Sequence, residues 1–250
     1  MITVAGKRPD SGTLAGFADG SLKRNILSVL ETSTHRYAFD TAAQLEFELA
    51  LRQATVEAAH SLYGSGLRFA VFRDAAANPA YWNVTRDGGF SLKRGAPPAR
   101  AILDIFENGS AYATECATAM MIVLYGALVK VYGEARFNRL FPQIELMNWH
   151  RLDPRLQSFG SLERKDDYFP GDRRYIANPD VDPLTPHWQG ENVIELGGGL
   201  FYGHGIGIRD AGSIIRSLNR NRVDGATRSA YLMDAAGRPD YRRLAALAAP

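Results

Sequence analysis

The residue best suited to chemistry is Cys116, the one cysteine in the chain. It follows Thr114 and Glu115 and precedes a long apolar run, so we predict that Thr114 caps a helix with Cys116 in its first turn. Backbone N–H groups and the positive dipole end there favour a thiolate, whereas the Glu115 carboxylate opposes it. The pattern indicates a nucleophile. The alternative is an inert thiol, because unpaired cysteines are among the most buried residues.

Histidines are the usual proton-transfer partners of a nucleophilic cysteine, and the chain has 5. His204 lies between two glycines, where a ligand can approach the backbone, and a Cys–His pair would make a papain-type hydrolase. His60 shares a helix face with apolar residues, so we expect it to be packed. The other three are expected in loops or at a strand end: His35, His150 and His187.

Glu191 is a second candidate for proton transfer, at the start of two short predicted strands, 192–196 and 200–204. A turn formed by the first two of the three glycines between them would place Glu191 opposite His204 on one face. A three-residue loop would instead pair Asn192 with His204 and turn Glu191 to the other face. Two-residue loops are commoner, so we predict the first register. The alternative role for Glu191 is a surface carboxylate at a strand end.

Composition excludes several other classes. A single cysteine rules out an intrachain disulfide and a cysteine-rich zinc site. No two histidines are four residues apart, and the glycines around residue 205 lack dinucleotide-binding spacing, so no metal or nucleotide cofactor is expected. A net charge of +2 gives no reason to expect a nucleic-acid or membrane partner. We also find no secretory signal, and so expect synthesis in the cytoplasm.

The elements that would position these residues come from hydrophobic periodicity and caps. At 250 residues, with 46% hydrophobic content, the chain is predicted to form one globular domain or two small ones. Helices are predicted at 21–30, 41–63 (capped by Thr41), 99–107, 114–132, 211–222 and 239–248. Further strands are predicted at 68–72, 80–84, 90–93 and 230–233, while 141–190 reads as strand and loop. This order predicts an α+β fold rather than regular βαβ alternation.

Several segments together resemble the bacterial spore-coat transglutaminases, the protein-glutamine γ-glutamyltransferases. The resemblance is carried by residues 105–109, 112–119, 148–150, 188–194, 204–207 and 229–232, with weaker matches at 47–49 and 81–82. Motifs in the right order over nearly the whole chain are far more specific than any one of them. The resemblance implies a single transglutaminase domain over 1–250, with a compact papain-like fold related to the NlpC/P60 cysteine peptidases.

The resemblance also implies an activity and its site. The family crosslinks glutamine to lysine side chains without calcium or another cofactor. Matched to the family's motifs, Cys116 is the nucleophile and Glu191 is its acidic partner. Glu115, the residue before the cysteine, is implied as a substitute for Glu191. Four further residues are expected to line the site: His204, Trp149, Trp188 and Asn192. Protein substrates, coat proteins among them, and a spore-coat location in a sporulating organism are also implied. An Asn148 where the family has an acid, and an arginine-rich C-terminal half, are departures.

These residues allow a specific mechanism. A glutamate buried against Trp188 would have a pKa raised toward neutrality, and could then serve a cysteine without histidine. This predicts a dry tunnel, which also protects a thioester from water. Backbone N–H groups at the helix start, including that of Cys116, would hold the oxyanion. Two alternatives stay open: a papain-like hydrolase or deamidase using His204, and a non-catalytic coat scaffold.

Overall fold

The computed structural model describes residues 1–9 and 20–248, apart from the side chain of His150. Its helices are α1 Leu22–Thr32, α2 Ala42–Gly64, α3 Pro98–Glu107, α4 Cys116–Tyr132, α5 Glu134–Leu140, α6 Gln157–Gly160, α7 Ala211–Asn219 and α8 Tyr241–Ala248. Its first strands are β1 Ile2–Val4, β2 Tyr37–Phe39, β3 Arg68–Phe69, β4 Trp82–Val84, β5 Phe90–Leu92, β6 Ala113–Thr114 and β7 Glu145–Leu146. The later strands are β8 Glu163–Arg164, β9 Arg173–Ala177, β10 Gly190–Gly197, β11 Leu200–Gly203, β12 Gly207–Asp210, β13 Tyr231–Leu232 and β14 Ala235–Ala236.

Local signals account for where the helices begin. The Thr41 hydroxyl accepts from the Gln44 N–H at 3.2 Å, which confirms the predicted cap of α2. Pro98 opens α3, where its missing N–H costs nothing. Helix α4 is apolar on nearly every face and is buried for most of its length. A helix that is apolar on every face must lie inside the molecule, so α4 is the central helix of the core.

Helix α4 packs between α2 and the main sheet. That sheet has the order β12-β11-β10-β9-β13, with every neighbouring pair antiparallel. Ile194, Leu196 and Tyr202 point from the sheet into the core shared with α4. Val193 and Phe201 point the other way, onto α7. The α+β prediction is confirmed, and a helix with cysteine at its start against an antiparallel sheet is the papain-like arrangement that the resemblance implies.

The predicted register of the glycine hairpin is wrong. Val193 pairs with Gly203 and Ile194 with Tyr202, and continuing by one residue sets Asn192, not Glu191, opposite His204. The turn does use two glycines, but its ends are Gly197 and Leu200, and the register shifts between Glu195 and Gly197. Leu196 is therefore an extra residue on one strand, a β-bulge. Because side chains alternate along a strand, this register puts Asn192 on the face of the position opposite His204 and leaves Glu191 on the other face of β10.

Other predicted strands are shorter than expected. The strand expected at 68–72 ends at Phe69, and a 3₁₀ turn follows at Phe72–Asp74. The strand expected at 230–233 covers only Tyr231–Leu232. The turn at 87–89 does join two antiparallel strands as predicted, with Val84 paired to Phe90. In the described part of the chain, no helix combines the length and apolar character needed to cross a bilayer.

Candidate active site

Cys116 is the first residue of α4, and Glu115, not Thr114, caps that helix. The two Glu115 carboxylate oxygens accept from Ala117 N–H at 2.6 Å and Thr118 N–H at 2.7 Å. Thr114 cannot cap, because it belongs to β6, where its carbonyl accepts from Ala70 N–H at 2.9 Å. The predicted cap is therefore wrong by one residue. Pairing with β3, distant in sequence, sets where the helix begins.

The surroundings of Cys116 hold the proton on sulfur. Burial, then the nearby charges of Glu191 and Glu115, raise the pKa of the Cys116 thiol. The side-chain amide of Asn192 donates to Sγ at 3.5 Å and acts in the opposite direction. The helix start alone would favour the thiolate, but here desolvation and two carboxylates outweigh it. The resting group is a thiol that needs a base.

Glu191 is buried and poorly solvated. Its side chain is 4% exposed, and Oε1 has no hydrogen-bond partner among the described residues. Burial, reinforced by the charge of Glu115, raises the pKa of Glu191 well above its ordinary value, against a smaller lowering by the backbone of His204. Gly203 makes room for this side chain, since a Cβ there would lie 3.0 Å from Glu191 Oε1. A carboxylate held in this way is a far stronger base than one in water.

His204 is buried in the same region, but its ring is already engaged. Nε2 lies 3.2 Å from the Arg68 carbonyl oxygen and Nδ1 lies 3.3 Å from the Tyr202 hydroxyl. A carbonyl only accepts, so Nε2 carries the proton and Nδ1 accepts from the tyrosine. Burial lowers the pKa of His204, which keeps the ring neutral. Both ring nitrogens are thus occupied away from Cys116.

Sequence reasoning missed Arg173, which lies behind Asn192. Its Nη1 donates to Asn192 Oδ1 at 2.8 Å, on the side of the amide remote from Cys116. Arg173 and Tyr175 share the Asn192 face of the sheet, because Tyr175 pairs with Asn192 and side chains alternate along β9. Gly190 allows the Tyr175 ring to lie over the strand, since a Cβ there would clash with its hydroxyl at 2.2 Å. The sequence feature that could have indicated Arg173 is a pair of arginines, 173 and 174, inside an otherwise apolar strand.

Two cavities lie at the site. The larger, about 660 Å³, is lined by Cys116, Glu115, Asn192 and Trp149 among others. The smaller, about 70 Å³, is lined by Phe69, His187, Trp188, Glu191, His204, Gly205 and Ile206. Phe69 and His187 line both. All the site-lining residues expected from the sequence therefore lie on one of these two cavities.

The remaining histidines are placed as follows. His60, expected to be packed, is exposed, because the buried stripe of α2 passes through the neighbouring Ala59 and Leu62 instead. His187, expected in a surface loop, is exposed at the cavity rim, with its ring centroid 6.3 Å from that of Phe69. His35 lies beside Asp166, with 2.7 Å between Nε2 and Oδ2. Within the residues described, no three His, Cys, Asp or Glu side chains form a group suited to hold a metal.

Comparison with known proteins gives a consistent result. Residues 1–248 match the family model described as protein-glutamine gamma-glutamyltransferase. A protein of that name from Bacillus cereus (strain B4264) is 45% identical over 221 residues, 88% of this chain and 79% of the relative. One from Bacillus mycoides (strain KBAB4) is 43% identical over 229 residues, 91% of this chain and 82% of the relative. The solved transglutaminase from Geobacillus stearothermophilus (without C-terminal extension) superposes with a TM-score of 0.77 at 44% identity, covering 83% of this chain and 98% of that one.

Proposed function

Because this chain belongs to the protein-glutamine gamma-glutamyltransferase family, and so is an acyltransferase, we propose that it joins glutamine to lysine side chains through a thioester on Cys116. The observation that carries the proposal is the half-buried thiol at the start of α4, hydrogen-bonded to Asn192 and within the electrostatic reach of Glu191. Proteins that carry glutamine and lysine side chains are its substrates.

Glu191 is the proposed base, and its burial makes it basic enough for that role. Burial raises the pKa of both Cys116 and Glu191, so neither readily holds a charge alone. Moving the thiol proton onto Glu191, directly or through one water molecule, keeps one negative charge on the Cys116–Glu191 pair. The free-energy cost of holding a poorly solvated charge is therefore similar whether the charge is on Glu191 or on the Cys116 sulfur. That cost adds little to the barrier for proton transfer.

The first half-reaction then forms the acyl-enzyme. The Cys116 sulfur attacks the carbonyl carbon of the glutamine γ-carboxamide, and negative charge develops on its oxygen. The N–H groups of residues 117 and 118 donate to the Glu115 carboxylate. The N–H group of Cys116 can therefore donate to the oxyanion. Glu191 returns its proton to the nitrogen, the C–N bond breaks and ammonia leaves. A thioester remains on Cys116.

The second half-reaction transfers the acyl group to an amine. A lysine ammonium has a pKa of about 10.4 in water, so it must lose a proton before it attacks. Glu191, a carboxylate again, takes that proton. The amine nitrogen attacks the thioester carbon, the C–S bond breaks, and the second amine proton passes to the departing sulfur, which leaves the isopeptide bond and the Cys116 thiol. Glu191 then releases its proton to solvent. Aromatic side chains around the cavities, Trp149 and Trp188 among them, limit water at this stage and disfavour hydrolysis.

Calcium independence and a role in spore-coat assembly are part of this proposal. Both rest on the family resemblance. The Cys–His hydrolase has less support, because both His204 nitrogens are engaged elsewhere.

The proposal is tested by incorporation of a fluorescent primary amine into a glutamine-rich protein, with a chelator present and Cys116→Ala as control. Incorporation by the wild type alone supports it. Ammonia release without incorporation would indicate a deamidase instead, and incorporation that stops in chelator would overturn calcium independence.

A further inference from the structure

We infer that Arg173 is a positioning residue for the nucleophile: it fixes the Asn192 amide against the Cys116 sulfur and supplies the positive charge that a Cys–His enzyme obtains from its histidine. The inference rests on the proposed role of Cys116 and adds a residue to it. It depends on three features of Arg173: its hydrogen bonds, its lack of a carboxylate partner and its place in the cavity wall.

The hydrogen bonds of Arg173 define the orientation of Asn192. A guanidinium has donors and no acceptor, so the Asn192 atom that faces Arg173 at 2.8 Å is the amide oxygen. The amide nitrogen is then turned toward Cys116, 3.5 Å from the sulfur. A flipped amide would set two donors against each other at Arg173 and bring an oxygen toward the sulfur. Arg173 therefore selects the rotamer that stabilises a thiolate.

Arg173 is also a buried cation without an ion pair. It is 1% exposed, and its guanidinium also donates to the carbonyl oxygens of Phe159 at 2.7 Å and Gly160 at 2.9 Å. Its guanidinium carbon lies 4.3 Å from the Trp149 ring centroid. In the described part of the chain, no carboxylate forms a salt bridge with it. Leaving a cation buried with only neutral acceptors costs free energy, unless an anion forms nearby during function.

Other buried arginines in the same fold are compensated. Arg52 pairs with Asp172 at 2.8 Å and with Glu48 at 2.9 Å. Arg174, the next residue along β9, pairs with Glu195 at 2.9 Å on the opposite face. Arg173 is thus an exception to the way this protein treats buried arginine.

The wall of the larger cavity shows which anion would compensate Arg173. Among the described residues that line it, Arg173 is the one lysine or arginine, and it shares that wall with Cys116. Burial lowers the pKa of Arg173 to about 10, with the charge of Cys116 acting in the opposite direction, so the group stays protonated near neutrality. The thiolate formed during catalysis is the anion that faces it, in a site where the Glu115 carboxylate repels negative charge.

The test is the alkylation rate of Cys116 by iodoacetamide in the substrate-free protein, below the thiol's titration midpoint. Removing one nearby charge shifts a pKa by about 1–3 units. A less acidic thiol gives less thiolate, but each thiolate is more nucleophilic, with a Brønsted coefficient of about 0.4–0.5. Arg173→Met should therefore slow alkylation by about 3- to 50-fold. Arg174→Met is the matched control, and should change the rate less than about twofold because Arg174 faces away from the site.

Two further variants keep the test decisive if Arg173→Met does not fold. Arg173→Lys keeps the positive charge but lacks the planar guanidinium, so its alkylation rate should lie between those of wild type and Arg173→Met. Asn192→Leu removes the amide and should also slow alkylation. If the folded variants, judged by circular dichroism, alkylate at the wild-type rate, the inference is wrong. Amine incorporation by the wild type tests the transferase separately, so failure of the function and failure of the inference give different results.

Discussion

Replacing Glu191 with glutamine separates two effects of that carboxylate. The change keeps the shape of a side chain that is 4% exposed, and removes its ability to accept a proton. A positioned general base contributes about 10²- to 10⁴-fold to a rate, which sets the expected loss in kcat. The charge of Glu191 is also the second cause, after burial, of the raised pKa of Cys116. Glu191→Gln should therefore make the thiol more acidic while it slows turnover.

Two assays on the same protein measure this split. Amine incorporation gives kcat, and iodoacetamide alkylation in alkaline buffer, where Glu191 is ionised, gives the reactivity of the sulfur. We expect kcat to fall by about 10²- to 10⁴-fold while alkylation accelerates severalfold. Glu191→Asp, which keeps the charge but shortens the reach, is the control and should not accelerate alkylation. A kcat within about tenfold of wild type would refute the assignment of Glu191 as base, and slower alkylation in Glu191→Gln would refute its electrostatic effect on Cys116.

Three further predictions follow from the same geometry. Because Glu191 must be ionised to act and its pKa is raised, activity should fall as pH drops through that raised pKa, at a higher pH than for an ordinary carboxylate; a kcat profile that stays flat down to about pH 4.3 would contradict this. The raised pKa also stabilises the fold below the unfolded pKa of a glutamate. The unfolding free energy of wild type relative to Glu191→Gln should thus decline as pH rises through the folded pKa, measured by urea titration. Glu115→Ala removes two hydrogen bonds to the start of α4 and should cost about 1–2 kcal/mol, a Tm drop of about 2–8 °C by calorimetry, whereas Glu115→Gln should cost less.

Local chemistry made much of the scaffold predictable. The Thr41 cap and the proline at the start of α3 act within one turn of chain, so reading them needed no tertiary information. The burial of α4 followed from its apolar composition alone. The α+β class followed from the order of such elements.

Tertiary contacts decided the features that the sequence did not reveal. The turn ends at Gly197 and Leu200, and the bulge at Leu196 shifts the pairing before it, so that Asn192 rather than Glu191 lies opposite His204. Pairing of β6 with β3 took Thr114 into a strand and gave the helix cap to Glu115. Arg173 lies nineteen positions before the asparagine it holds, and its relevance depends on strand pairing that periodicity does not encode. A one-residue change in register was enough to remove Glu191 from the predicted position opposite His204 and to put Asn192 there.

The central claim is that a thioester on Cys116 carries the acyl group, and intact-protein mass spectrometry tests it most directly. The wild type is mixed with a short glutamine peptide, without an amine acceptor, and quenched in acid. We predict an adduct equal to the peptide minus ammonia, mapped to Cys116 by proteolysis and lost when a primary amine is added before quenching. Ammonia release with no adduct on Cys116, or an adduct on another residue that persists in Cys116→Ala, would contradict the account.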